Sequence, residues 1–104
     1  MDMKLRHNGF DMSEAIDLHA RDRFYAALDQ HATQVRAIGV TLRDENGPRG
    51  GIDKSCHVYI DLACHHVPVI IKKQHDDIYL AITEAAETVK RTIGRLVNKA
   101  KRHR

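Results

Sequence analysis

Residues 55–62 alternate strictly between apolar and polar side chains, and this alternation restricts the folds open to the chain. The apolar positions are Cys56, Val58, Ile60 and Leu62. The polar positions are Ser55, His57, Tyr59 and Asp61. Because successive side chains of a strand point to opposite faces of a sheet, the pattern predicts a strand with one face on a core and the other open to water or a partner.

Three other segments show the same two-residue period, and each predicts a further strand. They span residues 3–7, 35–43 and 67–71. Pro68 lies within the last of them and has no N–H for a sheet hydrogen bond, which indicates an edge strand or a bulge. Residues 44–51 are rich in residues that break regular structure and predict a loop between the second and third strands.

Two segments instead follow the helical period. The first helix is predicted from about Glu14 to His31, with Ser13 as its N-cap. The second is predicted to follow Asp76 and Asp77 and to reach about residue 100. Its apolar face is expected to contain Ile78, Ile82, Ala85, Val89, Ile93, Leu96 and Ala100.

The order of these elements, β-α-β-β-β-α, predicts a two-layer α+β fold. A four-stranded mixed sheet is expected to carry both helices on one face, with a right-handed parallel crossover between the first two strands. Lys4 and Arg6 would then share the open sheet face with the polar side chains of 55–61. At 104 residues the chain is expected to form one domain, residues 1–104, with a basic tail from about 98 to 104 that can fray.

Positive charge is concentrated at the carboxy terminus. Residues 1–89 hold ten Lys and Arg against fourteen Asp and Glu, whereas residues 90–104 hold seven basic residues and no acidic ones. A basic block on a mildly acidic body is typical of proteins that bind a polyanion, and nucleic acid is the expected partner in the cytosol. A solvated tail that only aids solubility is the alternative.

The second helix arranges this charge as a ridge. Three arginines fall within about 40° of one another on a helical wheel, a lysine lies beside them, and two lysines occupy the other flank. In that order these residues are Arg91, Arg95, Arg102, Lys99, Lys90 and Lys101. Such a ridge can contact successive phosphates with strong salt dependence. Aromatic residues are sparse near it, which favours recognition of folded RNA over stacking of single-stranded bases.

Two cysteines and three histidines raise the alternative of a small metal- or thiol-dependent protein. These residues are Cys56, Cys64, His57, His65 and His66. Imidazole and thiolate are zinc ligands, but no pair has the C-x-x-C or H-x-x-x-H spacing, and Cys56 and His57 are predicted on opposite faces of a strand. Structural thiols and solvent-facing imidazoles are therefore expected, without a metal or other cofactor.

The sequence lacks the motifs of an enzyme. A nucleophile elbow and paired carboxylates are absent, and the glycine-rich segment 47–51 lacks the lysine and following helix of a P-loop. No segment has the roughly 18 apolar residues of a membrane-spanning helix, and the amino terminus lacks a secretory signal. We expect a cytoplasmic, non-enzymatic protein without a small-molecule substrate.

The second helix opens with Asp77-Ile78-Tyr79-Leu80-Ala81-Ile82, which resembles the D-[ML]-Y-x-A-I signature of ribosome hibernation-promoting factors and ribosome-associated inhibitor A. Ser13-Glu14-Ala15-Ile16 is similar to the opening of the first helix in that family, and the resemblance covers nearly the whole chain. It implies a double-stranded-RNA-binding-like fold. It also implies binding to the small ribosomal subunit and its rRNA in the decoding region, where such proteins overlap messenger and transfer RNA and silence translation under stress.

The resemblance also selects site residues by position. Relatives carry Arg or Lys on helix two at the positions of Arg91, Arg95, Lys99 and Lys101, and a basic residue on helix one near Arg23. With Lys90 and Arg102 of the ridge, these residues form the predicted RNA-binding set.

Several departures from the family pattern are expected to alter this binding. Thr88 and Val97 stand where relatives often carry lysine, and helix one carries three aspartates, Asp17, Asp22 and Asp29. The chain also stops soon after helix two, so the pairing of ribosomes is expected to need a second factor. A protein–protein interaction module that uses the exposed sheet face remains an alternative.

Overall fold

The computed structural model describes residues 2–9, 11–45 and 53–102. The strands are β1 (Asp2–Asn8), β2 (Val35–Asp44), β3 (Lys54–Leu62) and β4 (Val69–His75). The helices are α1 (Glu14–Leu28), a short 3-10 helix (Asp29–Gln34) and α2 (Ile78–Arg102). This order confirms the predicted β-α-β-β-β-α arrangement. Most of the loop predicted at 44–51 lies outside the described residues.

The four strands form one mixed sheet in the spatial order β1-β2-β3-β4. β1 runs parallel to β2, as a crossover through α1 requires, and the other neighbours are antiparallel. β4 lies at an edge of the sheet, which agrees with the prediction from Pro68, although β4 itself begins one residue later.

A single apolar core joins one face of the sheet to both helices. Phe24 and Leu28 of α1 and Ile82, Val89 and Ile93 of α2 are fully covered. They pack in one cluster with side chains from all four strands. Burial of this apolar surface is the main free energy that holds both helices on the same face of the sheet.

The first helix begins as predicted but ends earlier. The hydroxyl of Ser13 accepts a hydrogen bond from the Ile16 N–H at 3.1 Å, which makes Ser13 the N-cap. The predicted end at His31 is wrong, because α1 stops at Leu28 and His31 has non-helical dihedral angles within the 3-10 helix. No side chain from Asp29 to Gln34 is buried, so packing does not support a further α-helical turn.

The apolar stripe of α2 is rotated from the predicted one. Its N-terminus is held by the Asp77 carboxylate, which accepts a hydrogen bond from the Tyr79 N–H at 2.9 Å. The buried residues are Ala81, Ile82, Ala85, Ala86, Val89, Ile93 and Val97. Leu96 is only partly buried, whereas Val97 is covered because it lies beside Gln34 of the 3-10 helix and Cys64 after β3.

The open face of the sheet carries the predicted polar side chains, with one correction. Ser55 has no exposed surface, although it was expected to face water. It is a small residue paired with Arg43 and Gln74 on the neighbouring strands, and its hydroxyl donates to Glu45 Oε1 at 3.4 Å. Among the helices of the described residues, none is long and apolar enough to span a membrane.

Candidate nucleic-acid interface

The seven predicted RNA-binding side chains are all exposed. One of them, Arg23, lies on α1, and six lie on α2: Lys90, Arg91, Arg95, Lys99, Lys101 and Arg102. We call these seven residues the cationic surface. None of its members forms an ion pair with an acidic residue in the described part of the chain, so their charges are free to meet an external anion.

Three members of the cationic surface gather near the C-terminus of α2. Arg95, Lys99 and Arg102 line one shallow depression together with Asn98. Arg91 lies one turn earlier, with its guanidinium 3.5 Å from the Thr88 hydroxyl. The helix therefore presents Arg91, Arg95 and Lys99 as a row of cations about 6 Å apart along its axis, since each is four residues from the next.

A second cluster lies in the groove between the two helices. Arg23 of α1 and Lys90 of α2 line the same groove, which has a volume of about 190 Å³. Small side chains, Ala26 and Ala86, also line it and leave room between the cations. Glu87 is part of the same lining and offsets some of the positive charge. The structure thus brings together Arg23 and Lys90, which are 67 positions apart in the chain.

These two clusters lie on different sides of α2. Arg91, Arg95 and Arg102 fall within about 40° of one another on the outward side of the helix, away from its buried stripe. Lys90 lies about 100° around the helix from Arg91 and lines the groove with α1. The cationic surface therefore extends from the outward side of α2 to its groove with α1.

Comparison with known proteins identifies the family of this chain. The family described as sigma 54 modulation protein and S30EA ribosomal protein matches residues 3–101. The chain belongs to this family. The family consists of ribosome-associated hibernation and modulation factors rather than enzymes. No curated protein sequence matches the chain.

Two solved structures share the fold. A ribosomal subunit interface protein from Coxiella burnetii has a TM-score of 0.77 at 12% identity, and the match covers 91% of this chain and 96% of that one. The N-terminal domain of Thermus thermophilus Protein Y has a TM-score of 0.67 at 20% identity, with both chains covered completely. At these identities the likeness concerns the fold alone.

Thr88 and Val97, the two positions of α2 where the resemblance implies lysine, have different surroundings in the structure. Thr88 is partly exposed beside the arginine row, and its hydroxyl donates to the Glu84 carbonyl at 3.0 Å. Val97 is only 3% exposed and belongs to the core. A lysine would therefore extend the cationic surface at position 88, whereas position 97 requires an apolar side chain.

Acidic residues outnumber basic ones on α1, which carries Arg21 and Arg23 against Glu14, Asp17 and Asp22. The Arg21 guanidinium donates to Asp17 Oδ1 at 2.6 Å, and this hydrogen bond raises the pKa of Arg21. Asp22 and Asp29 are exposed. Because Arg21 is engaged by Asp17, Arg23 is the cation of α1 that is free to contribute to the interface.

The cysteines and histidines are dispersed rather than gathered. Cys56 is fully buried on the helix side of β3, and burial raises the pKa of its thiol to about 12. His57 points to the opposite sheet face, and Cys64 is half-buried after the strand. Within the described residues, no group of three or more His, Cys, Asp or Glu side chains is arranged to hold a metal.

A depression on the open sheet face was not predicted from the sequence. It has a volume of about 360 Å³, and its lining includes Gly39, His57, Tyr59 and Ile70. Cross-strand register brings these residues together, because Gly39 pairs with Tyr59 and Tyr59 pairs with Ile70. The sequence feature that could have predicted this depression is Gly39, which stands at an outward position of a strand, where the missing side chain leaves a gap.

Proposed function

We propose that this protein binds the rRNA of the small ribosomal subunit in the decoding region and holds ribosomes idle. The observation that carries the proposal is the cationic surface, whose seven charges are exposed and free of acidic partners among the described residues. Membership of a ribosome-associated family supplies the class of partner. Translation would then be inhibited, because a protein bound in the decoding region excludes messenger and transfer RNA.

Phosphate contacts would supply most of the binding free energy. Each cation that neutralises a phosphate releases condensed counterions, so affinity falls steeply as salt rises. The two clusters would contact neighbouring backbone segments, one through Arg23 and Lys90 and the other through the arginine row. Recognition would depend on the shape of the folded rRNA, since this surface offers donors for phosphates but no aromatic platform.

The packed core fixes the positions of the cations on α2. α2 is held on the sheet by side chains such as Val89 and Ile93, which have no exposed surface. Cations on a helix anchored in this way keep fixed spacing, so little conformational entropy of the backbone is lost on binding. The protein would act in the cytoplasm.

Co-sedimentation with isolated small subunits tests the proposal. The variant Arg91→Ala/Arg95→Ala/Lys99→Ala removes three members of the cationic surface and should be released at moderate ionic strength. A control, Arg21→Ala/Arg36→Ala, removes two arginines that lie outside the cationic surface and beside aspartates, and it should remain largely bound. Equal retention of the first variant and the parent would show that α2 is not the contact surface.

A further inference from the structure

The depression on the open sheet face is built around Gly39. Lys4, Gly39, Tyr59 and Ile70 are successive partners across β1, β2, β3 and β4. A Cβ atom placed on Gly39 would have no other atom within 4 Å, so the space above the glycine is open. The result is a slot whose floor is Gly39 and whose flanks include Lys4 and Tyr59.

Apolar surface is exposed within this slot. Tyr59 is 47% exposed and Ile70 is 66% exposed, and the two residues are paired on adjacent strands. The Tyr59 ring contacts no other aromatic ring in the described part of the chain. An exposed aromatic face beside an open gap is suited to stacking with a flat ring.

Cations surround the slot. Lys4 and Arg6 line it, Lys72 and Arg43 are exposed on neighbouring strands, and the pKa of His57 is lowered by burial and then by the charges of Lys72 and Arg43. Glu45 accepts a hydrogen bond from Ser55, Asp61 lies 4.0 Å from Arg36, and Asp2 is exposed on the same face, but none of these acidic residues lines the slot. The charge around the slot therefore favours an anionic partner.

One polar atom in the slot lacks a partner. His57 lines the slot, and its Nε2 atom is out of contact with solvent and without a hydrogen bond among the described residues. Because this nitrogen has no solvent contact, it offers no hydrogen bond to an external group at the slot surface.

We propose that this slot binds single-stranded RNA, with one unstacked base on Tyr59 and the neighbouring phosphates on Lys4, Arg6 and Lys72. Lys4 and Arg6 lie on β1 and Lys72 lies on β4, so these cations stand at the two edges of the sheet, as contact with a continuous strand requires. A platform that combines an exposed aromatic ring with surrounding cations is the usual means of binding single strands without sequence preference. The site is separate from the cationic surface and does not depend on the function proposed for it.

Fluorescence anisotropy with a fluorescein-labelled decamer of uridine tests this site. The cationic surface attracts any RNA, so the measurement uses the background Arg91→Ala/Arg95→Ala/Lys99→Ala. In that background, Tyr59→Ala should weaken binding about tenfold, the size of a lost base–aromatic stack, whereas Tyr59→Phe should retain most of the affinity.

Gly39→Val tests the slot more directly than Tyr59→Ala, because it fills the slot and leaves Tyr59 in place. The open space above Gly39 accepts the new side chain, and a β-branched residue suits a strand, so the fold and the thermal midpoint should be preserved. Filling the slot should nevertheless weaken decamer binding about as much as Tyr59→Ala. Affinity unchanged by Gly39→Val in a folded protein would overturn the proposal, as would absence of decamer binding. Both results are independent of co-sedimentation with small subunits.

Discussion

The ammonium group of Lys54 lies 2.9 Å from a carboxylate oxygen of Asp53, a residue with no exposed surface. The same ammonium lies 3.3 Å from Asp44 Oδ2, so it serves two largely buried carboxylates. The second oxygens, Asp44 Oδ1 and Asp53 Oδ2, have no hydrogen-bond partner among the described residues. Among the described residues, the ammonium is thus the main compensation for negative charge beside the β2–β3 connection, and its hydrogen bond to Asp53 raises the pKa of Lys54.

Lys54→Met is therefore expected to destabilise the protein strongly, because it leaves two carboxylates in a poorly solvated environment without their counter-charge. Urea denaturation measures the loss. The control Lys101→Met changes an exposed side chain and should alter the free energy of unfolding by no more than about 0.5 kcal/mol. Equal stability of the two variants would contradict this account of the hairpin.

The Cys56 thiol predicts a loss of stability in alkaline solution. Its pKa is raised from 9.0 to about 12 because the thiolate would be buried. Above pH 9 the unfolded chain loses a proton that the folded chain retains, so stability falls as pH rises from about 9 towards 12. The slope from this one group is at most about 1.4 kcal/mol per pH unit. Urea melts at several pH values should show a shallower fall for Cys56→Ala than for the parent, and parallel slopes would exclude this role.

The N-cap of α1 predicts a smaller, local effect. Ser13→Ala removes the acceptor of the Ile16 N–H and should lower the free energy of unfolding by about 1 kcal/mol. Ser13→Asp keeps an acceptor at the positive end of the helix and should retain the stability of the parent. The two variants are compared by thermal and urea denaturation. If both variants lose the same free energy of unfolding, the loss does not come from the cap hydrogen bond.

Positions 88 and 97 predict opposite outcomes for the same substitution. Thr88→Lys adds an exposed cation beside the arginine row and should strengthen binding to small subunits by roughly two- to tenfold at moderate salt. Val97→Lys places a charge in the core and should lower the free energy of unfolding by at least about 2 kcal/mol. Binding titrations and urea melts measure the two effects. A stable Val97→Lys protein would contradict the packing described here.

The sequence predicted the elements where periodicity was strong, and its errors lie where neighbouring elements decide burial. The alternation at 55–62 predicted β3 nearly to its ends. It could not predict that Ser55 is covered, because that depends on the flanking strands. Likewise, Leu96 was expected in the core instead of Val97, since the position of the 3-10 helix beside α2 is not encoded in the period of α2.

The candidate sites also differ in how far the sequence alone predicts them. Clustered charge along one helix is visible in the sequence, so the α2 cations were predicted residue by residue. The placement of Arg23 beside Lys90 depends on how the helices pack. The slot at Gly39 depends on the register of three strand pairs, which the sequence pattern does not specify.

The most direct test of the central claim is the salt dependence of binding to isolated small subunits. For the parent, the logarithm of the association constant should fall linearly with the logarithm of the potassium chloride concentration. If Arg91, Arg95 and Lys99 each neutralise a phosphate, the triple alanine variant should bind more weakly, with a slope shallower by about 2 to 3. A variant with the affinity and slope of the parent would contradict the claim that α2 binds rRNA through its cations.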